Sequence, residues 1–461
     1  MWCMCTIISK NYVAFARTLV ESFLQHHPGG KAYVLLADDP EGLPGSRQEL
    51  FEWVDLGEIG LPDAPSLKFK YNVTEFNTAV KPFFLDYLLR VRGHDKMVYF
   101  DPDILVLRNM DDVYQMLDDT AVILTPHILS PLPDDGKRPE EIDLLKAGVY
   151  NLGFLAISRS AASDRLLGWW KERLRHYCWL EPDRGFHVDQ KWMDFAPAMF
   201  DGVYVSRDSA LNAAYWNVHE RKITYRDGVF HVNGKPLTFY HFSGFMPDLS
   251  GISRHQNRFG WSETADLYHL FRVYAAKLEK HGLAETSGYR YAYGRFDNGS
   301  KIPDVVRMLY RAAGPEASRF GDPFRTTDPG GFYRWLLAPL DGDGSIPRLL
   351  HEIYLRRGDL RSLFPDPLGA NRRALLEWGR QYAPAEYGID AADWNAAIDR
   401  AVADGAVAEP MPSRPARHTG IGRQGGVRGP AGRGRRRRHR PIVRSRAAKR
   451  ASGRRSRRRH G

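Results

Sequence analysis

The first half of the chain alternates short apolar runs with helically spaced apolar stripes. Residues 2–9 read as a strand. From Asn11 onward Tyr12, Phe15, Leu19, Val20, Phe23 and Leu24 share one helical face, and "HPGG" (27–30) ends it. "AYVLLA" (32–37) is a continuous apolar run closing on Asp38-Asp39, as a buried parallel strand would. A second helical pattern covers roughly 78–91. It leads into the apolar run Met97–Phe100, and Asp101, Pro102 and Asp103 follow at once. This β-α-β-α-β order predicts an α/β fold, a parallel sheet with helices on both faces.

Beyond it, "AVILTP" (121–126) and "YNLGFLAIS" (150–158) read as strands. Between them residues 127–148 read as a long mobile loop, and 161–177 are helical. Asp227-Gly228 and Asn233-Gly234, set between short alternating runs, signal hairpins within 222–245. From about 251 to 405 the patterns are mainly helical. The expected division is therefore an α/β domain over 1–250, a mainly helical extension over 251–405 and a tail over 406–461. No internal repeat is visible.

The net charge of +11 over 461 residues misdescribes most of the chain. Residues 411–461 hold 19 Arg and Lys with no Asp or Glu; 66 less 19 leaves 47 basic against 55 acidic residues, a net of −8 for the rest. The Arg-rich tail has too little apolar content to fold and is expected to be disordered. It has no aromatic residue for base stacking, so no specific nucleic acid is expected, only a peripheral contact with an anionic surface. Three cysteines, Cys3, Cys5 and Cys178, predict no disulfide framework and a reducing compartment. No transmembrane run and no signal peptide are read, which points to a cytoplasmic protein, peripheral at most at the inner membrane face.

The chemistry concentrates at the end of the run 97–100. Alternate residues of a strand share a face, so Asp101 and Asp103 can point the same way. Two adjacent carboxylates repel each other and are costly to desolvate. A hard divalent cation, Mn²⁺ or Mg²⁺, resolves that, and ligands of open α/β sheets sit beyond the carboxyl ends of the strands.

"VYFDPDILVL" resembles the Asp-x-Asp motif of the GT-A-fold nucleotide-sugar glycosyltransferases, nearest to the glycogenin and lipopolysaccharide galactosyltransferase-like group. The resemblance covers about residues 5–250. "TIISKNYVAFARTLVESFLQHHP" resembles the opening strand and helix that flank the nucleotide base. Tyr12 would stack on that base, or belong to the core stripe. "TAVKPFFLDYLL" resembles the helix before the motif, with Lys81 as its basic residue toward the sugar nucleotide; a snorkelling lysine is the alternative. "AGVYNLGFLAIS" matches Gly148, Asn151 and Gly153, and "HVDQKWMDF" matches Asp189 and Gln190 near the reacting sugar. Asp189 is equally placed to cap a helix starting at Gln190. "YHFSGF" matches His241 as the third metal ligand, with Gly244 near the phosphates. The family's later Lys-Pro is missing from "HFSGFMP", so the outer phosphate must find another cation or go without one.

The resemblance implies a metal-dependent glycosyltransferase that retains anomeric configuration. It would move a sugar from a nucleotide-diphosphate donor to a glycan or lipid-linked acceptor. Asn212, Trp216 and Asn217 in "LNAAYWNVHER" suit the acceptor side or the core. A haloacid dehalogenase-like phosphohydrolase and a non-catalytic glycan or nucleic-acid binder are the alternatives. "DGDGSIPRLLHE" (341–352) imitates a calcium loop but has Ile346 where glycine is required, and reads better as a helix start.

Overall fold

A computed structural model describes residues 2–43, 48–340 and 346–406. The tail and the acidic part of the calcium-loop imitation, 341–345, lie outside the described residues. The latter's remainder starts the helix Arg348–Arg356.

The core is a seven-stranded sheet. Its strands are β1 (Cys3–Ile8), β2 (Lys31–Leu36), β3 (Glu52–Asp55), β4 (Lys96–Phe100), β6 (Val122–Pro126), β7 (Tyr150–Ser158) and β8 (Val203–Val205), with β5 (Ile104–Val106) outside it. The order across the sheet is β8-β6-β7-β4-β1-β2-β3. The predicted α/β architecture is present, and its period-2 signature is visible in β1. Cys3, Cys5 and Ile7 enter the core on one face, Met4 and Ile8 the core on the other. The helices Lys81–Arg90 and Ala161–Tyr177 cover the first face, and Val13–His26 the second.

Three features depart from the expectation. First, β7 runs antiparallel to both neighbours. A parallel pair needs a crossover to the opposite rim. The segment 127–149 stays on the rim where β6 ends, so the chain re-enters from that side. That segment also holds a helix, Glu141–Ala147. It is clasped by Arg258, which donates to both oxygens of Asp135 at 2.8 Å and to the Lys137 carbonyl at 2.7 Å. Second, the pattern over 78–91 is two helices, Val73–Ala79 and Lys81–Arg90, which meet at Val80. Pro82 sits in the first turn of the second helix and cannot continue the first. Lys81 therefore opens a helix at the rim. Third, β3 is a short edge strand with only Val54 buried, too polar to show in the apolar pattern.

The hairpin signals hold. Ile223–Arg226, Val229–Val232 and Lys235–Pro236 form an antiparallel ribbon. All four turn residues have positive φ. The next strand, β9 (Phe239–His241), leaves the ribbon and pairs antiparallel with β5, with His241 opposite Ile104.

The helix Ala265–Lys280 packs against the segment after β9, where the Phe242 and Tyr274 rings stack at 3.7 Å. The helices from Asp304 onward surround a further core built from residues 296–401, into which the helix Ala64–Lys70 inserts Phe69. Phe69 is fully buried and meets Tyr310, Phe324 and Phe332 edge-on with centroids 4.9–5.4 Å apart. Phe69→Ala is expected to cost about 3–5 kcal/mol, read as a lowered urea midpoint. A loss below about 1 kcal/mol would remove Phe69 from the core.

Candidate active site

The rim at the ends of β1, β2 and β4 collects the polar residues. The pairing of β9 with β5 carries His241 to the carboxylate pair. His241 Nε2 lies 3.1 Å from Asp103 Oδ1 and 4.0 Å from Asp101 Oδ2. The ligand atoms of the three side chains lie within 4.8 Å of one another. Among the described residues, theirs is the one group of three or more such side chains so arranged.

Asp101 divides its oxygens. Oδ1 accepts from the Tyr99 hydroxyl at 2.8 Å and stands 3.9 Å from Lys81 Nζ, while Oδ2 turns to His241. Tyr99 is two residues back on the same strand face, a spacing that could have revealed it. Lys81 is 1% exposed, which rules out snorkelling. Its Nζ is 2.6 Å from Asp189 Oδ2, donates to the Leu152 carbonyl at 2.9 Å and lies 4.2 Å from the Tyr99 ring centroid. One buried cation thus serves two carboxylates. Burial pushes the Asp189 carboxyl upward, Lys81 opposes that, and Asp101 adds to it. Asp189 caps no helix: the turn after it, Lys191–Phe195, has no side-chain cap.

Asn151 and Gly153 stand at the start of β7, across from Asp101. The Asp101 N–H donates to the Gly153 carbonyl at 2.7 Å. Gln190 ties the β7 start down, accepting from Leu152 N–H at 3.1 Å and donating to the Ala147 carbonyl at 3.0 Å. Gly148 ends the helix Glu141–Ala147 beside Asp194. A Cβ on Gly153 would lie 2.2 Å from His241 Cε1. Only glycine leaves room for that ring at this position. Gly244 has φ 71°, and a Cβ there would meet His255 Cδ2 and Ser253 Oγ at 2.5 Å. Tyr12 is half-buried, its ring 4.7 Å from Phe15, with Asp103 and Asp101 among the charges bearing on it.

The acceptor-side reading of three residues does not fit their placement. Asn212 and Asn217 are fully buried and Trp216 is 3% exposed. Asn217 latches its own loop, accepting from Ala214 N–H at 2.9 Å and donating to the carbonyls of His127 and Asn212. Trp216 packs edge-on against both His127 and His241, each at 5.2 Å. His127 escaped the sequence reading because it lies in no motif. Burial holds its pKa at about 4, so the ring is neutral at physiological pH.

Burial alone would lower the His241 pKa, but Asp103 and then Asp101 raise it above its ordinary value. The donor set, two carboxylates and one imidazole, fits a hard divalent cation, which requires the neutral ring.

No family model matches the chain. It is similar to the uncharacterized protein YfnF of Bacillus subtilis (strain 168), 27% identical over 247 residues, 52% of this chain and 80% of YfnF. Among solved structures it is similar to the galactosyltransferase LgtC in complex with donor and acceptor sugar analogues. Identity is 17%, coverage 59% of this chain and 95% of that one, and TM-score 0.35. It is also similar to the glycosyltransferase GlyE of Streptococcus pneumoniae TIGR4, 14% identical over 64% of this chain and 66% of that one, TM-score 0.36. Likenesses this partial carry no argument about activity.

Two outcomes follow from the geometry. Gly153→Ala is expected to abolish the rise in melting temperature on adding Mn²⁺, whereas Gly168→Ala, on an open helix face, leaves it intact. Without metal, the protonated His241 stabilises the fold fully below about pH 6.5, and this is lost as pH rises through the raised value. The Mn²⁺-induced rise in melting temperature should therefore be larger at pH 8 than at pH 6, checked by differential scanning fluorimetry.

Proposed function

We propose that the chain is a metal-dependent glycosyltransferase of the GT-A type, moving a sugar from a nucleotide-diphosphate donor to a glycan or lipid-linked acceptor. The observation that carries this is the convergence of Asp101, Asp103 and His241 at the carboxyl end of β4. These three would hold Mn²⁺ or Mg²⁺, and the bound ion would supply electrostatic stabilisation for the charge that grows on the leaving diphosphate.

The chain's own residues do the rest. Tyr12 flanks the nucleoside at the start of the helix Val13–His26. Gly244, where a side chain would collide with His255 and Ser253, would bring its backbone beside the phosphates. Arg254 takes the place of the missing lysine. It is exposed, its N–H donates to the Gly244 carbonyl at 3.1 Å, and its charge bears on Tyr12. Asn151 faces the sugar from β7. Asp189, Gln190 and Lys81 hold the floor beneath it, with the Lys81 ammonium lying 2.6 Å from Asp189 and 3.9 Å from Asp101. No residue here stands out as a dedicated base, in keeping with transfer that retains configuration and returns the acceptor proton to the leaving phosphate.

Among the described residues no helix is long and apolar enough to cross a membrane. The three buried free thiols suit a reducing, cytoplasmic setting. The basic tail is kept as a peripheral contact with an anionic surface. A dehalogenase-type phosphohydrolase is disfavoured because the acid pair follows β4 rather than the first strand.

The test is a panel of UDP-, GDP- and dTDP-sugars with Mn²⁺. One of them should raise the melting temperature and be turned over, and Asp101→Asn or Asp103→Asn should cut turnover by about 10²–10³. No stabilisation by any donor, or undiminished turnover in both variants, would contradict the reading.

A further inference from the structure

Asn212 is where the cation-holding cluster meets the sugar-facing side of the floor. It is fully buried, with φ 57°, a left-handed backbone that asparagine tolerates better than most residues. Its Oδ1 lies 3.2 Å from His241 Nδ1. Its Nδ2 donates to Thr125 Oγ1 at 2.9 Å and to Asn151 Oδ1 at 3.0 Å.

The polarity of this chain of bonds is set by the backbone. The Gly153 N–H can only donate, and it donates to Asn151 Oδ1 at 3.1 Å. Asn151 therefore presents its oxygen to Asn212, which must answer with its N–H. That leaves the Asn212 oxygen for His241, so Nδ1 carries a hydrogen and Nε2 is the nitrogen turned to the carboxylates, its lone pair offered to a cation when the ring is neutral. The other arm agrees. Asn151 Nδ2 lies 3.3 Å from Gln190 Oε1, an oxygen already fixed as acceptor by the Leu152 N–H.

We propose that Asn212 is a positioning residue, which sets the tautomer and ring direction of His241 for binding a divalent cation and couples that ligand to Asn151. The proposal rests on the metal-dependent reading above. A histidine ligand whose far nitrogen is tied down is pre-aimed, and loss of such a partner weakens metal binding without touching a ligand.

The probe is Mn²⁺ alone, titrated by calorimetry and by electron paramagnetic resonance into full-length protein. Asn212→Gly keeps the left-handed backbone and removes the amide. It should raise the Mn²⁺ Kd about 10–100-fold, with the metal-free melting temperature recorded beside it. Asn212→Asp retains an acceptor for Nδ1–H and should bind much more tightly than the glycine variant. Should Asn212→Gly fail to fold, Thr125→Val carries the test: it removes one anchor of the amide and should also raise the Kd. A folded glycine variant binding within about twofold of wild type, or an unchanged Kd in Thr125→Val, overturns the proposal and leaves the metal reading standing. Wild-type protein that binds neither Mn²⁺ nor Mg²⁺ overturns both.

Discussion

An excess of negative charge at one rim of the sheet governs the arrangement. Asp101, Asp103 and Asp189 converge there, and the enclosed cation offered to them is Lys81. It lies against Asp189 and Asp101, and Asp103 has His241 instead. A buried ion pair is a weak source of stability. Here it has another use: it holds Asp189 and one oxygen of Asp101 still, so that the other oxygen and Asp103 face outward. With the His241 ring neutral, three carboxylates and one lysine leave the rim short of two positive charges, which a divalent ion would supply.

Backbone topology makes this possible. β9 must leave its ribbon and pair with β5 for His241 to reach Asp103. β7 must run backwards for Asn151 and Gly153 to stand at the same rim as the end of β4. Residue 153 must lack a side chain for the imidazole to lie over it. The amides of Asn151, Asn212 and Gln190 then join these pieces through bonds whose directions backbone groups dictate.

Much of the sheet was legible because burial on both faces leaves continuous apolar runs, as in 32–37 and 97–100. The acid pair was legible because it interrupts such a run. β3 was not, since an edge strand buries one residue and keeps its charges. The reversal of β7 was hidden because strand direction leaves no trace in periodicity. The break at Val80 was written in Pro82 and overlooked in a strong helical stripe. The roles of Lys81 and Asn212 were out of reach for a different reason: the partners lie 18 to 108 positions away for Lys81 and 29 to 87 for Asn212, and a lysine or asparagine looks the same whether it meets a ligand or another side chain.

The central claim is that Asp101, Asp103 and His241 hold a divalent cation beneath a nucleotide diphosphate. Crystals soaked with Mn²⁺ and UDP test it directly through anomalous scattering at the manganese edge. The account predicts one strong peak bounded by those three side chains, with phosphate density beside it near Gly244. A peak elsewhere on the surface, or none at this rim with UDP bound, would contradict it.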